Sequence, residues 1–172
     1  MSELRLMSPT AEYAEQIDGF RAEMLEAESD FAGCGGLKHC NCAADWLDEL
    51  ELLKGESTCP NGLVPSSSFL AVCKGRVVGV IELRHRIDTP ILSSWGGHIG
   101  FSVRPSERRR GYAKEMLRQL LSVCRARGMG SVLVTCGSEN IASERTITAN
   151  GGVFDSEITV DGRKIKRFWI KL

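Results

Sequence analysis

The chain has 172 residues, enough for a buried core, and we expect residues 1–172 to form a single domain. Its 22 basic and 22 acidic side chains give a formal net charge of zero, which argues against a nucleic-acid partner, because such proteins normally carry a basic stripe. No apolar run approaches the roughly 20 residues that span a bilayer, and the first residues lack the apolar segment of a secretion signal. With seven scattered cysteines, these features predict a cytoplasmic protein with reduced thiols and no membrane contact.

Hydrophobic periodicity and turn residues divide the chain into strands, helices and loops. The elements predicted in the first half are strand Leu4–Met7, helix Ala11–Glu28, the glycine-rich break Gly33–Cys42, helix Ala43–Lys54, loop Gly55–Ser68, strands Phe69–Cys73 and Val77–Arg86 with a hairpin turn at Lys74-Gly75-Arg76, and loop Asp88–Gly97. Those of the second half are strand Gly97–Val103, a helix from about Ala113, strand Ser131–Thr135, helix Ile141–Asn150, and a hairpin of Val153–Val160 with Ile165–Ile170. This order predicts a mixed α/β domain with an antiparallel meander, one βαβ crossover and a final hairpin.

The most informative segment is Arg108–Leu117, in which a basic loop precedes an amphipathic helix. Apolar residues recur from Ala113 to Cys124 at helical spacing, and Gly128 supplies a C-terminal stop. Arg108–Ala113 therefore lies at a helix N-terminus, where unpaired N–H groups and the helix dipole attract anions. Its three arginines add charge-assisted contacts to phosphate. The alternative is a solvated basic cap on an ordinary surface helix.

Two motifs resemble the signatures of the GNAT superfamily of N-acetyltransferases. Arg108-x-x-Gly111-x-Ala113, after a strand ending in Val103-Arg104-Pro105, resembles the acyl-coenzyme A signature. Asn140-Ile-Ala-Ser143, followed by Asn150-Gly-Gly152, resembles the second signature, the helix beside the pantetheine arm. The order of elements is also similar from about residue 10 to the C-terminus. The resemblance implies a central mixed sheet flanked by helices, with acetyl-CoA as co-substrate and no metal.

In this superfamily the strand that ends at Val103 separates from the next strand, and the pantetheine arm lies in the gap. The resemblance assigns to the coenzyme Phe101, Val103, Arg108, Arg109, Arg110, Gly111, Tyr112, Ala113, Asn140 and Ser143. The backbone of Phe101 and Val103 would pair with the pantetheine amides like an added strand. The alternatives are that these two residues only fill the core and that Asn140 only caps its helix.

The chemistry also needs a group that deprotonates the amine. An alkyl amine with a pKa near ~10.4 is neutral in about one molecule in a thousand at pH 7, and a general base contributes roughly 10²–10⁴ in rate. His98 follows two glycines just before the splayed strand, where the superfamily often places its base. Glu82 is the second candidate and His85 the third, and water alone stays an alternative. Arg84 shares a strand face with Glu82, and would orient an anionic substrate group or pair with Glu82.

One position departs from the family. Many members carry a tyrosine seven residues beyond the asparagine as the acid for the leaving thiolate, whereas Ile147 stands there in this chain. The two tyrosines, Tyr13 and Tyr112, lie elsewhere. The thiolate then leaves without an acid, or a Cys, Ser or water donates the proton.

A second cluster lies in the glycine-rich break and beyond it. It comprises Cys34, His39, Cys40, Cys42 and Cys59. The spacing C-x4-H-C-x-C lacks the paired spacings of structural zinc sites. The sequence therefore favours a flexible loop with free thiols on the substrate side over a metal site.

Together these features predict an acetyl-CoA-dependent N-acetyltransferase that acts on a primary amine of a small molecule or peptide. Direct attack in a ternary complex is favoured, because no cysteine stands beside a histidine on the lining strands. The alternative is a catalytically silent acyl-CoA-binding or sensing domain. The acceptor, a donor acyl group longer than acetyl, and the oligomeric state stay open, and a homodimer is one state that the sequence allows.

Overall fold

We describe the protein from a computed structural model, in which residues 3–172 are described. The strands are β1 (Arg5–Met7), β2 (Ser66–Cys73), β3 (Arg76–Arg84), β4 (Ile99–Val103), β5 (Ser131–Gly137), β6 (Gly152–Val160) and β7 (Arg163–Lys171). The α-helices are α1 (Ala14–Glu26), α2 (Ala43–Leu52), α3 (Tyr112–Ala126) and α4 (Ile141–Thr148). Short turns of 3-10 helix at Ala11–Tyr13 and Pro105–Glu107, and a π-helical turn at Leu92–Gly96, complete the regular structure of these residues.

The strands form one mixed sheet in the order β1-β2-β3-β4-β5-β7-β6. All neighbours are antiparallel except β4 and β5, which are parallel and connected through α3. This confirms the predicted meander, crossover and final hairpin. None of the helices in residues 3–172 is long and apolar enough to cross a membrane.

Two hydrophobic cores cover the faces of the sheet. The larger packs α3 and Ile147 of α4 against one face, with Ile81, Leu83 and Val134 among the strand residues. The smaller packs α1 and α2 against the other face and is centred on Phe20 and Trp46. From Val80 onward the side chains of β3 alternate between the two faces, with Val80 in the smaller core and Ile81 and Leu83 in the larger, so Glu82 and Arg84 share the α1/α2 face, as predicted from strand alternation.

Several predicted boundaries were wrong. β2 begins at Ser66, inside the predicted loop, because three serines pair with β3 as far as Arg84. β3 ends at Arg84, because Arg86 turns outward to pair with Glu56 and Asp88. β4 begins at Ile99, since the positive φ of Gly97 interrupts the strand. The predicted loop Asp88–Gly97 contains the π-helical turn.

The helices and the last strands differ from prediction by a few residues. α1 begins after a 3-10 turn and ends at Glu26, and α2 and α4 each end two residues early, at Leu52 and Thr148. β5 continues to Gly137, because the whole strand pairs with β7. These differences leave two candidate bases, His85 and His98, just outside the strands in which they were predicted, after the end of β3 and before the start of β4.

Candidate active site

The two parallel strands β4 and β5 separate soon after they meet. They are joined at Ile99 and Val134. On its other edge β4 pairs with β3, and the hydrogen bonds at its two ends fix the pattern. The N–H of Arg104 donates to the carbonyl oxygen of Val78, and the N–H of Arg84 donates to the carbonyl oxygen of His98. Because bonded and non-bonded positions alternate along an antiparallel pair, the backbone groups of Phe101 and Val103 face the opening beside β5. The splayed strands expected from the resemblance are therefore present.

A cleft of about 1000 Å³ opens at this separation. The predicted coenzyme residues in its wall are Phe101, Val103, Arg108, Arg109, Gly111, Tyr112, Ala113, Asn140 and Ser143. Of the predicted set, Arg110, Glu82 and His98 do not line it. The wall also contains Lys114, Cys136 and Thr146, which the sequence did not indicate. The two sequence motifs, more than 25 residues apart in the chain, thus border one cavity.

The loop before α3 has the backbone geometry of an anion site. Arg109 and Gly111 adopt positive φ angles of 63° and 80°. Within residues 3–172 no protein acceptor is bonded to the backbone N–H groups of Arg109–Lys114. These donors lie at the positive end of the α3 dipole, where an anion is stabilised by both effects. A Cβ atom on Gly111 would meet no protein atom within 4 Å, so the space beside it is open for a ligand.

The three arginines of the loop differ in their partners. Arg108 donates from Nη2 to Ser29 Oγ at 2.8 Å and from Nε to the carbonyl oxygen of Val103 at 3.2 Å. Arg110 pairs with Glu107, with Nη1 3.0 Å from Oε2. Arg109 is the one of the three without a bonded partner in the described part of the chain, so its guanidinium is the one free to meet a phosphate.

Tyr112 contributes its backbone rather than its phenol to this loop. Its hydroxyl group lies 3.5 Å from Cys73 Sγ at the end of β2. That hydrogen bond, with a smaller effect of burial, raises the pKa of Tyr112. The phenol is therefore engaged on the β2 side of the cleft.

Helix α4 presents its first turn to the cleft. The side chain of Asn140 caps the helix, since its Oδ1 accepts the N–H of Ser143 at 3.0 Å. Asn140 and Ser143 both lie in the cleft wall. Ile147 is completely buried in the larger core, where it packs against Gly152. The position at which many family members have a tyrosine thus does not line the cleft in this chain.

Glu82 lies on β3 beside the start of the gap. It is opposite Gly100 in the β3–β4 register, and its side chain is buried. Its Oε2 lies 3.1 Å from Arg84 Nη2, while Arg84 Nη1 donates to the carbonyl oxygens of Gly96 and Gly97. Arg84 and Gly100 are in the cleft wall although Glu82 is not. The carboxylate is therefore held one layer behind the surface of the cleft.

His98 has a different hydrogen-bond pattern. Its Nδ1 accepts the backbone N–H of Leu133 at 2.9 Å, and its ring packs edge-on against Trp169. Burial, with a smaller effect of Arg84, lowers the pKa of His98. The neutral ring then carries its proton on Nε2, so neither nitrogen is free to accept a proton.

His85, the third candidate, lies outside the cleft. Its Nε2 is 2.8 Å from Ser67 Oγ, and burial lowers its pKa.

The segment between α1 and α2 crosses directly over β4. A side chain on Gly33 would overlap the carbonyl oxygen of Gly100, and Ser102 Oγ donates to the carbonyl oxygen of Ala32 at 2.8 Å. Farther along, Gly36 N–H donates to Glu49 Oε1 at 2.7 Å. The prediction of a flexible loop was wrong at these positions, because hydrogen bonds fix the segment against β4 and α2.

The cysteine cluster of this segment does not converge on one point. All the cysteines are free thiols, and no group of three or more potential ligands capable of holding a metal is found in residues 3–172. Cys34 is completely buried, and burial raises its pKa to about 12. Because metals bind the thiolate, this cysteine is poorly suited as a ligand.

A sequence model of the acetyltransferase (GNAT) family matches residues 22–151. The chain belongs to the GNAT acetyltransferase family. It is therefore an acetyltransferase with acetyl-CoA as co-substrate. No curated protein matches the sequence closely enough to count as a relative.

Solved structures of the same fold include three acetyltransferases of known name. Mycobacterium smegmatis RimJ in complex with CoA-disulfide has a TM-score of 0.74 at 20% identity, covering 98% of this chain and 81% of that chain. RimL, a ribosomal L7/L12 α-N-protein acetyltransferase whose coenzyme A is joined to a cysteine by a disulfide, gives 0.71 at 13% identity, with 98% and 94% covered. A chimera of the spermidine N-acetyltransferase SpeG from Vibrio cholerae and hSSAT gives 0.64 at 18% identity, with 99% and 96% covered. These likenesses establish the fold.

Proposed function

We propose that this chain transfers the acetyl group of acetyl-CoA to a primary amine by direct attack in a ternary complex. The observation that carries the proposal is that a single cleft joins the anion-binding loop before α3, the open edge of β4 and the segment after α1. The seven strands of residues 3–172 belong to one sheet, which supports a single catalytic domain. The free cysteines fit the cytoplasm as its compartment.

The coenzyme would bind along the cleft with its pyrophosphate at the N-terminus of α3. The N–H groups of Arg109–Lys114 and the free guanidinium of Arg109 supply the contacts to phosphate. The open backbone groups of Phe101 and Val103 would pair with the pantetheine amides. From α4, Asn140 would contact the arm and Ser143 the adenosine-side or phosphate groups of the coenzyme. The CoA complexes of the RimJ and RimL structures support a coenzyme site in this fold.

The amine would enter from the α1/α2 side, where the cleft wall includes Phe31, Lys38 and Trp95. The neutral amine attacks the thioester carbonyl carbon, a backbone N–H of β4 stabilises the oxyanion, and the C–S bond breaks as the thiolate leaves. RimL acts on a protein α-amine and SpeG on spermidine, which supports an amine acceptor on a small molecule or peptide.

Glu82 is the base that the geometry favours. One of its oxygens pairs with Arg84, and the other is available to accept a proton. Because the carboxylate lies behind the cleft wall, a water molecule would carry the proton from the amine. His98 is less suited, since Leu133 N–H occupies the nitrogen that would accept it.

A panel of amines tests the function. Purified protein is incubated with acetyl-CoA and peptides with free N-termini, polyamines or amino acids, while thiol release is followed and products are identified by mass. We expect thiol release that depends on one class of amine, with acetylated product in equal amount. If acetyl-CoA binds but no amine releases thiol above the rate without protein, the silent coenzyme-binding alternative replaces this proposal.

A further inference from the structure

Cys136 lies in the wall of the cleft, and the catalytic steps proposed above do not use it. Within residues 3–172 it is the one cysteine that lines the cleft. Its side chain is only 7% exposed, and no hydrogen bond joins its Sγ to another described group. It is therefore a buried, unpartnered thiol with access to the cavity.

The strand register places Cys136 across the gap from Phe101. The parallel strands are joined at Ile99 and Val134, so Phe101 and Cys136 each lie two residues farther along. At that level β5 still pairs with β7, through Lys166, but no longer with β4. Cys136 thus stands on the β5 edge of the gap, just beyond its closed end.

The position of the phosphate loop fixes the direction of the coenzyme arm. Arg108–Ala113 follows the C-terminal end of β4, at the open end of the gap. An arm that starts there and lies along Phe101 and Val103 runs toward the closed end at Ile99. The sulfur atom at the tip of the arm then arrives beside the thiol of Cys136.

We propose, on the basis of the proposed function, that Cys136 is a modification site for coenzyme A disulfide, with which it forms a mixed disulfide inside the cleft. One coenzyme half fills the site and presents the disulfide bond to Cys136. The modified protein holds its own coenzyme covalently and cannot bind acetyl-CoA until a thiol reduces the bond.

The exchange needs no other oxidant. Cys136 loses its proton to solvent, and the thiolate attacks the sulfur of the bound half. A new S–S bond forms as the old one breaks, and the second coenzyme half leaves as a thiolate with the electron pair and takes a proton from solvent. One disulfide is consumed and one is formed.

The surroundings of Cys136 make this reaction depend on binding. Burial, with a smaller effect of Glu144 on α4, raises the pKa of Cys136 to about 11, while Lys166 on β7 acts in the opposite direction. Little thiolate exists at neutral pH, so a disulfide without affinity for the cleft reacts slowly. A coenzyme disulfide held in the cleft gains from its high local concentration. Its exchange rate should rise with pH as the thiolate fraction grows.

The test is adduct formation on the full chain. Reduced protein is treated with coenzyme A disulfide or with hydroxyethyl disulfide, and adducts are mapped by peptide mass spectrometry. We expect one coenzyme adduct on Cys136, formed at least tenfold faster than the hydroxyethyl adduct, slowed by acetyl-CoA and removed by dithiothreitol. Cys136→Ser should form no coenzyme adduct, whereas Cys59→Ser, at a half-buried cysteine outside the cleft, should behave like the wild type.

The outcomes separate this inference from the function. Suppose that calorimetry shows acetyl-CoA binding. The inference is then overturned, and the function stands, if Cys136 forms no coenzyme adduct, if it reacts equally fast with both disulfides, or if a different cysteine carries the adduct. If acetyl-CoA does not bind, both fail. Should Cys136→Ser not fold, protection of wild-type Cys136 by acetyl-CoA decides the question.

Discussion

Glu82 and His98 are both buried near the gap, but their hydrogen bonds suit them to opposite tasks in proton transfer. Glu82 keeps one carboxylate oxygen unpaired by Arg84, whereas His98 accepts a backbone N–H at Nδ1. The neutral form of His98 is a donor at its other nitrogen. A base is needed because almost all of the free amine is protonated at neutral pH.

Replacing each residue should therefore have different effects. Glu82→Gln should lower kcat/KM about 10² or more near neutral pH, with the loss shrinking as rising pH deprotonates the amine without help. His98→Ala should lower it by less, with no such recovery, because its role is to hold β4 against β5. Both variants should keep the wild-type affinity for acetyl-CoA, since the phosphates bind far from the acyl group. The measurement is kcat/KM against pH, with affinity from calorimetry.

Two results would contradict this assignment. Wild-type rates for Glu82→Gln across the whole pH range would remove the carboxylate as base. A large loss in His98→Ala that disappears at high pH would instead assign the base to His98.

The sequence predicted the residue types of this site better than their partners. The two motifs indicated Arg108–Ala113 and Asn140–Ser143, and both border the cleft, because each depends on a local feature: the start of a helix. The bond between His98 and Leu133 joins residues 35 positions apart, and nothing near either one signals it. The sequence also did not indicate that Arg110 pairs with Glu107. Arg110 was predicted to contact phosphate, but it does not line the cleft.

At the scale of the elements, the segment after α1 and strand β4 approach so closely that two glycines are required. Gly33 has a φ of 73° and faces the carbonyl oxygen of Gly100. This contact covers β4 on its α1/α2 side at Gly100, the residue opposite Glu82. It also positions the part of the cleft that would receive the amine.

Gly33→Ala should therefore lower the free energy of unfolding by more than the strain of a positive φ alone would. Gly62 is a matched control, because it has a φ of 84° and a Cβ atom there would meet no other atom within 4 Å. We expect Gly62→Ala to lose about 1 kcal/mol of the free energy of unfolding and Gly33→Ala about 2 kcal/mol more, since the methyl group must displace backbone. Urea unfolding measures both. Equal losses would mean that the segment moves away from β4 without cost.

The elements that the sequence predicted best carry a strong local period. The apolar repeat that ends before Gly128 predicted α3, and the structure confirms it over Tyr112–Ala126. The start of β2 was missed because Ser66–Ser68 is polar and becomes a strand only by pairing with β3. Pairing between distant segments also decided where β4 and β5 separate, which the resemblance implied but no local pattern shows.

For the whole molecule, the net charge of zero conceals a local concentration of positive potential. The positive end of α3, the free Arg109 and Lys114 meet at one end of the cleft. We propose above all that this end holds the coenzyme pyrophosphate while the rest of the cleft brings acetyl group and amine together.

Calorimetric titration with acetyl-CoA tests that claim most directly, on wild type, Gly111→Asp and Gly128→Asp. Both glycines have positive φ, 80° and 75°, and open space at Cβ, but they lie at opposite ends of α3. Gly111→Asp places a carboxylate among the phosphate donors, so affinity should fall at least tenfold, about 1.4 kcal/mol, while Gly128→Asp should bind like the wild type. Unchanged affinity in a folded Gly111→Asp variant, or an equal loss in both variants, would contradict the account.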